Sequence, residues 1–312
     1  MPVELAPVGM SVYTRIEHFK QSISALQANA LADRSDLFIF SDAASVPDDE
    51  DRVQEVREFA RNIKGFRSVC LTERDVNYGG TGNSFQAYAE IIERFGMSIY
   101  VEDDIVCAPG FLTYMNDALQ FYKGDERVIS ISGYSPPVRV PRRISGDIFA
   151  LNRISGWGMG SFRRTLKMAQ SKINPEEFRS VRERSIFTEN GVDVLRLIEA
   201  EIAGATDAGD VRCMYHQSMT GALTIYPRQT LVTNIGLDGT GVHCNDSERY
   251  NVKEMWDKTS LFSFKPGIEV DPRIRKLHCE FWGNGLVGKT GRFARRTGIY
   301  KYVKPIKDLI MP

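Results

Sequence analysis

Three carboxylates stand side by side in MSIYVEDDIVCAPGF, Met97 to Phe111, directly behind a run of β-forming residues. Adjacent like charges repel, and close carboxylates raise one another's pKa unless a cation compensates. Glu102, Asp103 and Asp104 thus have two readings: an exposed, solvated turn, or a seat for a divalent cation carrying a phosphate-bearing ligand. Polar residues follow other apolar runs in the same way. Tyr13 and Thr14 close PVGMSVYT with Arg15 next, Ser41 and Asp42 close DLFIFSD, and Asp75 closes RSVCLTERD with Asn77 two residues on.

The elements that must position these groups alternate. After PVGMSVYT, the stretch RIEHFKQSISALQANALA places Ile16, Phe19, Ile23 and Leu26 at helical spacing. DLFIFSD, an acidic helix from about Asp48 to Ile63, and RSVCLTERD come next. NSFQAYAEIIERFG then sets Phe85, Tyr88, Ile92 and Phe95 on one face before MSIYVEDD. Strands apolar on both faces, alternating with amphipathic helices, predict parallel βαβ units and an α/β sheet. Right-handed crossovers bring every parallel strand's C-terminal end to one edge, where such sheets bind ligands. Four polar groups converging there point to a ligand site.

Several chemistries are excluded. A dinucleotide fold would carry GxGxxG after its first strand, where this chain reads YTRIEHF. NYGGTGNS, Asn77 to Ser84, has other spacing and follows the third strand, so it reads as a flexible loop. No GxxxxGK[ST] occurs, and GKTGR near residue 290 has no strand before it. Lysine plus arginine equals aspartate plus glutamate, 40 each, so no net field calls for nucleic acid. No window approaches the ~18 apolar residues of a membrane span, and no basic region with an apolar core opens the chain. Five scattered cysteines fit a reducing compartment, with no CxxC pair for zinc. The expectation is a cytoplasmic protein of ordinary composition.

The later half offers GDVRCMYHQSMTGALTIYPRQTLVTNIGLDGTGVHCN, Gly209 to Asn245. ALTIYP reads as a strand that proline ends. The glycine-spaced loop after it carries Asp238 and His243; that histidine is either structural or a metal or phosphate ligand. Trp157, in RISGWGMGSFRR, reads as a sugar-stacking wall or as buried core.

The ordered series SVYTR, FIFSD, YVEDDIVCAPGFL, ISGYS, SGWGMGSF and LTIYPRQTLVTNIGLDGTGVHC resembles GT-A-fold glycosyltransferases, in the branch of the N-acetylglucosaminyltransferase-I-like family and its bacterial relatives. The resemblance runs from about Pro7 to about Asn245. It implies an α/β GT-A fold over residues 1–284, with a nucleotide-binding half at about 7–135 and an acceptor half at about 136–250. It also implies inverting transfer of a sugar, N-acetylglucosamine or a related one, from a UDP-sugar to a saccharide or lipid-linked glycan of a cell surface, with Mn²⁺ or Mg²⁺ as cofactor. By resemblance Asp42 reads the uracil edge, Arg15 stands near the donor phosphates, and Tyr13 and Asn77 line the donor site. Asp104 binds the ion, while Glu102 and Asp103 orient the ribose and bound waters. His243 lies on the loop that closes over the donor.

An inverting transfer also needs a carboxylate to take the acceptor hydroxyl's proton. The family places an aromatic and then acids shortly before the LTIYP-like strand, where this chain reads TDAGDVRCMYH, with Gly209 in the aromatic position. Asp210 is the best match and Asp207 the fallback; Asp193 and Glu189 are further candidates, each otherwise a solvated helix charge. Beyond Gly285 the tail, residues 285–312, interleaves Lys289, Arg292, Arg295, Arg296, Lys301, Lys304 and Lys307 with apolar residues. Such a segment either lies peripherally on an anionic membrane, or packs on the domain or stays disordered. Two alternatives accompany the transferase reading: a nucleotidyltransferase acting on a sugar phosphate, and a non-catalytic nucleotide-sugar or glycan-binding relative.

Overall fold

Alternation of two-sided strands and one-sided helices builds the first half as the sequence predicts. The computed structural model describes residues 4–141, 146–183, 185–238, 249, 250, 252 and 254–284; His243 and the tail 285–312 lie outside them. The order runs β1 (Val8–Val12), α1 (Ile16–Gln27), β2 (Asp36–Ser41), α2 (Glu50–Arg61), β3 (Ser68–Glu73), α3 (Gly79–Phe95), β4 (Met97–Glu102), β5 (Ile105–Cys107) and α4 (Phe111–Tyr122). It continues through β6 (Val128–Ser132), β7 (Ile148–Leu151), β8 (Met159–Phe162), α5 (Arg163–Gln170), α6 (Pro175–Val181), α7 (Ser185–Thr188) and α8 (Val194–Ile202). Last come α9 (Gly209–Thr220), β9 (Leu223–Pro227), β10 (Val232–Asn234) and α10 (Pro272–Cys279).

Eight strands form one mixed sheet in the order β3-β2-β1-β4-β8-β6-β9-β7. β3, β2, β1 and β4 are parallel, and β8 enters antiparallel between β4 and β6. Central strands are buried along their length, as in β6 and β9, whereas edge strand β3 alternates exposed and half-buried residues. One face packs Met10, Leu37, Ile39 and Val101 with Phe19, Ile23 and Leu26 of α1 and Val56 of α2. The other packs Phe40 and Tyr100 against Tyr88, Ile91 and Ile92 of α3. Each such fully buried aliphatic or aromatic side chain stabilises the fold by about 1.5–3 kcal/mol. This is an α/β architecture, consistent with the GT-A expectation.

One local expectation is corrected. NYGGTGNS is not a flexible loop: α3 begins at Gly79 and takes up its glycines. Asn83 Nδ2 donates to the Phe40 carbonyl at 3.0 Å and Ser84 Oγ meets Ser11 Oγ at 2.7 Å, so tertiary bonds fix this turn against β2 and β1.

The strand order opens a crevice in the sheet edge. After β1 the chain moves outward through β2 and β3, then returns to place β4 on the other side of β1. The crevice beyond the C-terminal ends of β1 and β4 is therefore the topological switch point, the place where open α/β sheets take ligands.

Candidate active site

β1 and β4 are neighbours in register, Ser11 opposite Glu102, so the residues that follow each strand meet. Arg15, at the N-cap of α1, donates through Nη2 to Asp103 Oδ1 at 2.5 Å and to Asp104 Oδ2 at 2.9 Å. Burial pulls the guanidinium pKa down, but the Asp103 and Asp104 carboxylates outweigh it and hold it above its ordinary value. The turn is fixed through its backbone. Ser22 Oγ donates to the Asp103 carbonyl at 2.8 Å, and the Ile235 N–H donates to the Asp104 carbonyl at 2.9 Å. That second bond continues the β5–β10 ladder and brings the loop after β10 onto the acidic turn. Gly236 is required there: a Cβ at this position would lie 2.2 Å from Asp104 Oδ2 and 3.0 Å from Arg15 Nη1. Asp238 carries the loop further, with its Oδ2 3.2 Å from His18 Nε2.

The solvated-turn reading fails for this triplet. Asp103 and Asp104 are each 7% exposed, and Asp104 Oδ1 is buried without a hydrogen-bond partner among the described residues. An orphaned buried carboxylate oxygen is costly unless something completes it. No group of three or more His, Cys, Asp or Glu among the described residues forms a metal cage. A hard divalent cation that keeps waters and phosphate oxygens needs only one or two carboxylates, so the single free oxygen fits such an ion. Glu102, half-buried, has its carboxyl pKa pushed up to about 8 by burial and then by the Asp104 and Asp103 charges. Burial raises Asp103 as well, against the pull of Arg15.

On the β2 side, Asp42 is 2% exposed and its Oδ1 accepts from the Ala43 and Tyr78 N–H groups, both at 3.0 Å. Tyr78, which the sequence does not single out, presents an exposed ring beside it, with Arg74 Cζ 5.6 Å from the ring centre. Asn77 is exposed; its Nδ2 donates to the Ala43 carbonyl at 2.6 Å and its Oδ1 accepts from the Gly79 N–H. Tyr13 is half-buried and its hydroxyl is committed to Ser45 and Asp49, which leaves its ring rather than its oxygen for a ligand.

The opposite wall comes from α9. This helix leads through Gly221 and Ala222 into β9, so its first turn lies at the edge where β9 ends. Asp210, in that turn, is open to solvent yet surrounded by protein, as on the wall of a cleft. Burial raises its carboxyl pKa, and its charge is felt by Glu102. The other acids are spoken for. Asp207 pairs with Arg212 at 2.6 Å, and Glu201 holds the same Nη1 at 2.5 Å. Asp193 grips buried Arg153 through two bonds of 3.0 and 2.7 Å, while Glu189 pairs with Arg275 at 2.9 Å. A cleft of about 370 Å³ runs between Thr81, Gly82 and Phe85 of α3 and Asp207, Gly209 and Arg212.

Trp157 is half-buried and makes edge contacts with Tyr134 at 4.6 Å and Tyr250 at 6.0 Å between ring centres. Sequence reasoning does not find Arg153: its Cζ stacks 4.1 Å over Trp282, and its charge reaches Asp210. Its only sequence signal is an arginine in an apolar strand end, LNRIS.

No family model and no curated protein matches the chain. Among solved structures it is similar in part to the mannosyltransferase PcManGT from Pyrobaculum calidifontis in complex with GDP-Man and Mn²⁺, at 14% identity over 55% of this chain and 51% of that one, TM-score 0.36. It is similar also to TarS from S. aureus, at 15% identity over 59% of this chain and 33% of that one, TM-score 0.36. A third is TarS 1-349 in complex with UDP, at 15% identity over 62% and 55%, TM-score 0.36. The chain thus spans about half of the mannosyltransferase and a third of the longer TarS chain. Likeness at that level leaves this chain's chemistry to its own residues. No helix among the described residues is long and apolar enough to cross a membrane.

Proposed function

We propose that the chain is a metal-dependent glycosyltransferase of the N-acetylglucosaminyltransferase-I-like kind, moving a sugar with inversion from a UDP-sugar to a saccharide acceptor. The observation that carries this reading is the acidic turn at the β1/β4 switch point, with one buried Asp104 oxygen left over after Arg15 has taken the other. A divalent cation bound there, Mn²⁺ or Mg²⁺, would neutralise the charge that develops on a diphosphate leaving group. Asp104 is its ligand in this reading, and His243 the second residue offered to it.

The chain's own groups then divide the work. Arg15 supplies a charge-assisted donor for phosphate oxygens. Asp42, held by the Ala43 and Tyr78 N–H groups, is oriented to receive the N–H edge of a uracil, with the exposed Tyr78 ring alongside. Glu102 is the carboxyl offered to a ribose hydroxyl or a bound water as hydrogen-bond partner. Asp210 stands across the cleft as the carboxylate that takes the acceptor hydroxyl's proton, help worth about 10²–10⁴-fold in rate. Its raised pKa makes it a better base than an ordinary surface aspartate. Asp207, paired to Arg212, is the weaker candidate.

The test is calorimetric titration of UDP and UDP-N-acetylglucosamine, with and without Mn²⁺, into wild type and Asp104→Ala. Metal-dependent binding that disappears in the variant is the expected outcome. Absence of UDP binding to wild type under every metal condition would sink the reading.

A further inference from the structure

Arg15 stands where a cation would otherwise be needed. Its Nη2 is shared between Asp103 Oδ1 at 2.5 Å and Asp104 Oδ2 at 2.9 Å, yet Asp104 Oδ1 stays buried and has no partner among the described residues. The backbone that carries the carboxylates is fixed. The Asp103 and Asp104 carbonyls are held by Ser22 and Ile235, and Gly236 packs against Asp104 Oδ2 so closely that even a Cβ would collide. The mobile partner is Arg15, a long side chain reaching in from the start of α1 and 27% exposed, against 10% for each aspartate side chain.

Charge then decides what can bind. Asp103, Asp104 and the Arg15 guanidinium sum among themselves to one net negative charge. A divalent cation added beside Arg15 turns it positive, and a buried like-charge contact is unfavourable. A diphosphate reverses that sign and offers the guanidinium oxygens as good as those it leaves.

We propose that Arg15 is the resident counter-cation of the acidic turn, exchanged for a divalent metal only when a nucleoside diphosphate arrives to receive the guanidinium. The inference rests on the donor-site reading above and adds its order: metal alone binds weakly, and metal with diphosphate binds as a unit. Reciprocity requires that each ligand tighten the other by the same factor.

The experiment follows Mn²⁺ binding by electron paramagnetic resonance, with no nucleotide and then with UDP, in wild type, Arg15→Gln, Arg15→Lys and Arg15→Gln/Asp104→Ala. In wild type UDP is expected to tighten Mn²⁺ about tenfold or more, within the range usual for coupled sites. Arg15→Gln should bind Mn²⁺ alone about tenfold tighter than wild type, and UDP should add less. Arg15→Lys, which keeps a charge, should stay near the wild-type pattern. A merely structural arginine would give the opposite result, weaker Mn²⁺ binding in Arg15→Gln. That outcome, or unchanged Mn²⁺ affinity, overturns the proposal, as does tight Mn²⁺ binding to wild type that UDP does not alter. Loss of the ion in the double variant supports its place at Asp104, and retention overturns it. If instead wild type binds no UDP at all, the donor-site reading fails, whereas the nucleotide-free comparison of wild type with Arg15→Gln still tests the counter-cation role.

Discussion

Lowering the pH from 7.5 to 5.0 is expected to weaken the fold through one side chain, His278. This residue of α10 is 2% exposed and packs against the stacked rings of Phe149, at 5.1 Å, and Tyr226, at 5.9 Å. Neither ring nitrogen has a hydrogen-bond partner among the described residues. Burial, and then the Arg153 charge, lower its pKa from 6.5 to about 3. The unfolded chain therefore takes up this proton as pH falls through 6.5, while the folded chain refuses it until about 3. Stability is full above 6.5 and drains away progressively below it. At pH 5.0 the difference is about 1.5 pH units, which at about 1.36 kcal/mol each is about 2 kcal/mol. Urea unfolding of wild type and His278→Leu at the two pH values measures it. Leucine keeps the bulk, and no ring hydrogen bond among the described residues is lost, so the cost at pH 7.5 should be under about 1.5 kcal/mol. The raised carboxyl pKa values of Glu102, Asp103 and Asp210 favour the folded state as pH falls, but they act in both proteins and cancel. Wild type should lose about 2 kcal/mol more than the variant between the two conditions. Equal losses would show that the ring is charged or hydrated in the fold, and would refute the argument.

Two more outcomes concern the site itself. Gly236→Ala puts a methyl carbon 2.2 Å from Asp104 Oδ2, so the carboxylate must shift. Metal-dependent UDP binding should fall tenfold or more by calorimetry, for about 1–3 kcal/mol of lost stability; unchanged binding would mean Asp104 is not part of it. Asp210→Asn should cut sugar release from UDP-N-acetylglucosamine by about 10²–10⁴-fold with donor affinity kept. In wild type the acid limb of that rate should stand above the ordinary aspartate range, because burial raises this carboxyl pKa and the base is lost as pH falls through it.

The α/β frame was legible because two-sided burial leaves a plain mark in β1, β2 and β4. Placing polar groups behind each strand needed only the rule that parallel strands end at one edge. What could not be read is which of those groups touch. The Arg15 contact to Asp103 and Asp104 depends on β4 pairing with β1 instead of β3, its predecessor in sequence. β8, Met159–Phe162, is four residues of MGSF whose strand character comes from two antiparallel neighbours and not from propensity. α3 misled for the converse reason. Glycine costs a helix about 1 kcal/mol relative to alanine, so GGTG argues for a loop. The bonds from Asn83 and Ser84 to β2 and β1, with the Asp42 carboxylate on the Tyr78 N–H, overrule it.

The departure at Gly209 has the same origin. In the family it resembles, an aromatic stands at this point before the catalytic acid, and its loss reads in sequence as a weakened base motif. In the fold, a Cβ on residue 209 would already lie 3.1 Å from Phe85 Cε2 and 3.2 Å from Ala169 Cβ. An aromatic ring has no room there, because Phe85 of α3 fills the space. Glycine lets the start of α9, which carries Asp210, close onto Phe85 of α3 and Ala169 of α5. The glycine-rich start of α3, the Phe85 ring and the acid on α9 are therefore one packed unit. Gly209 is the steric complement of Phe85, and its presence is no argument against catalysis by Asp210.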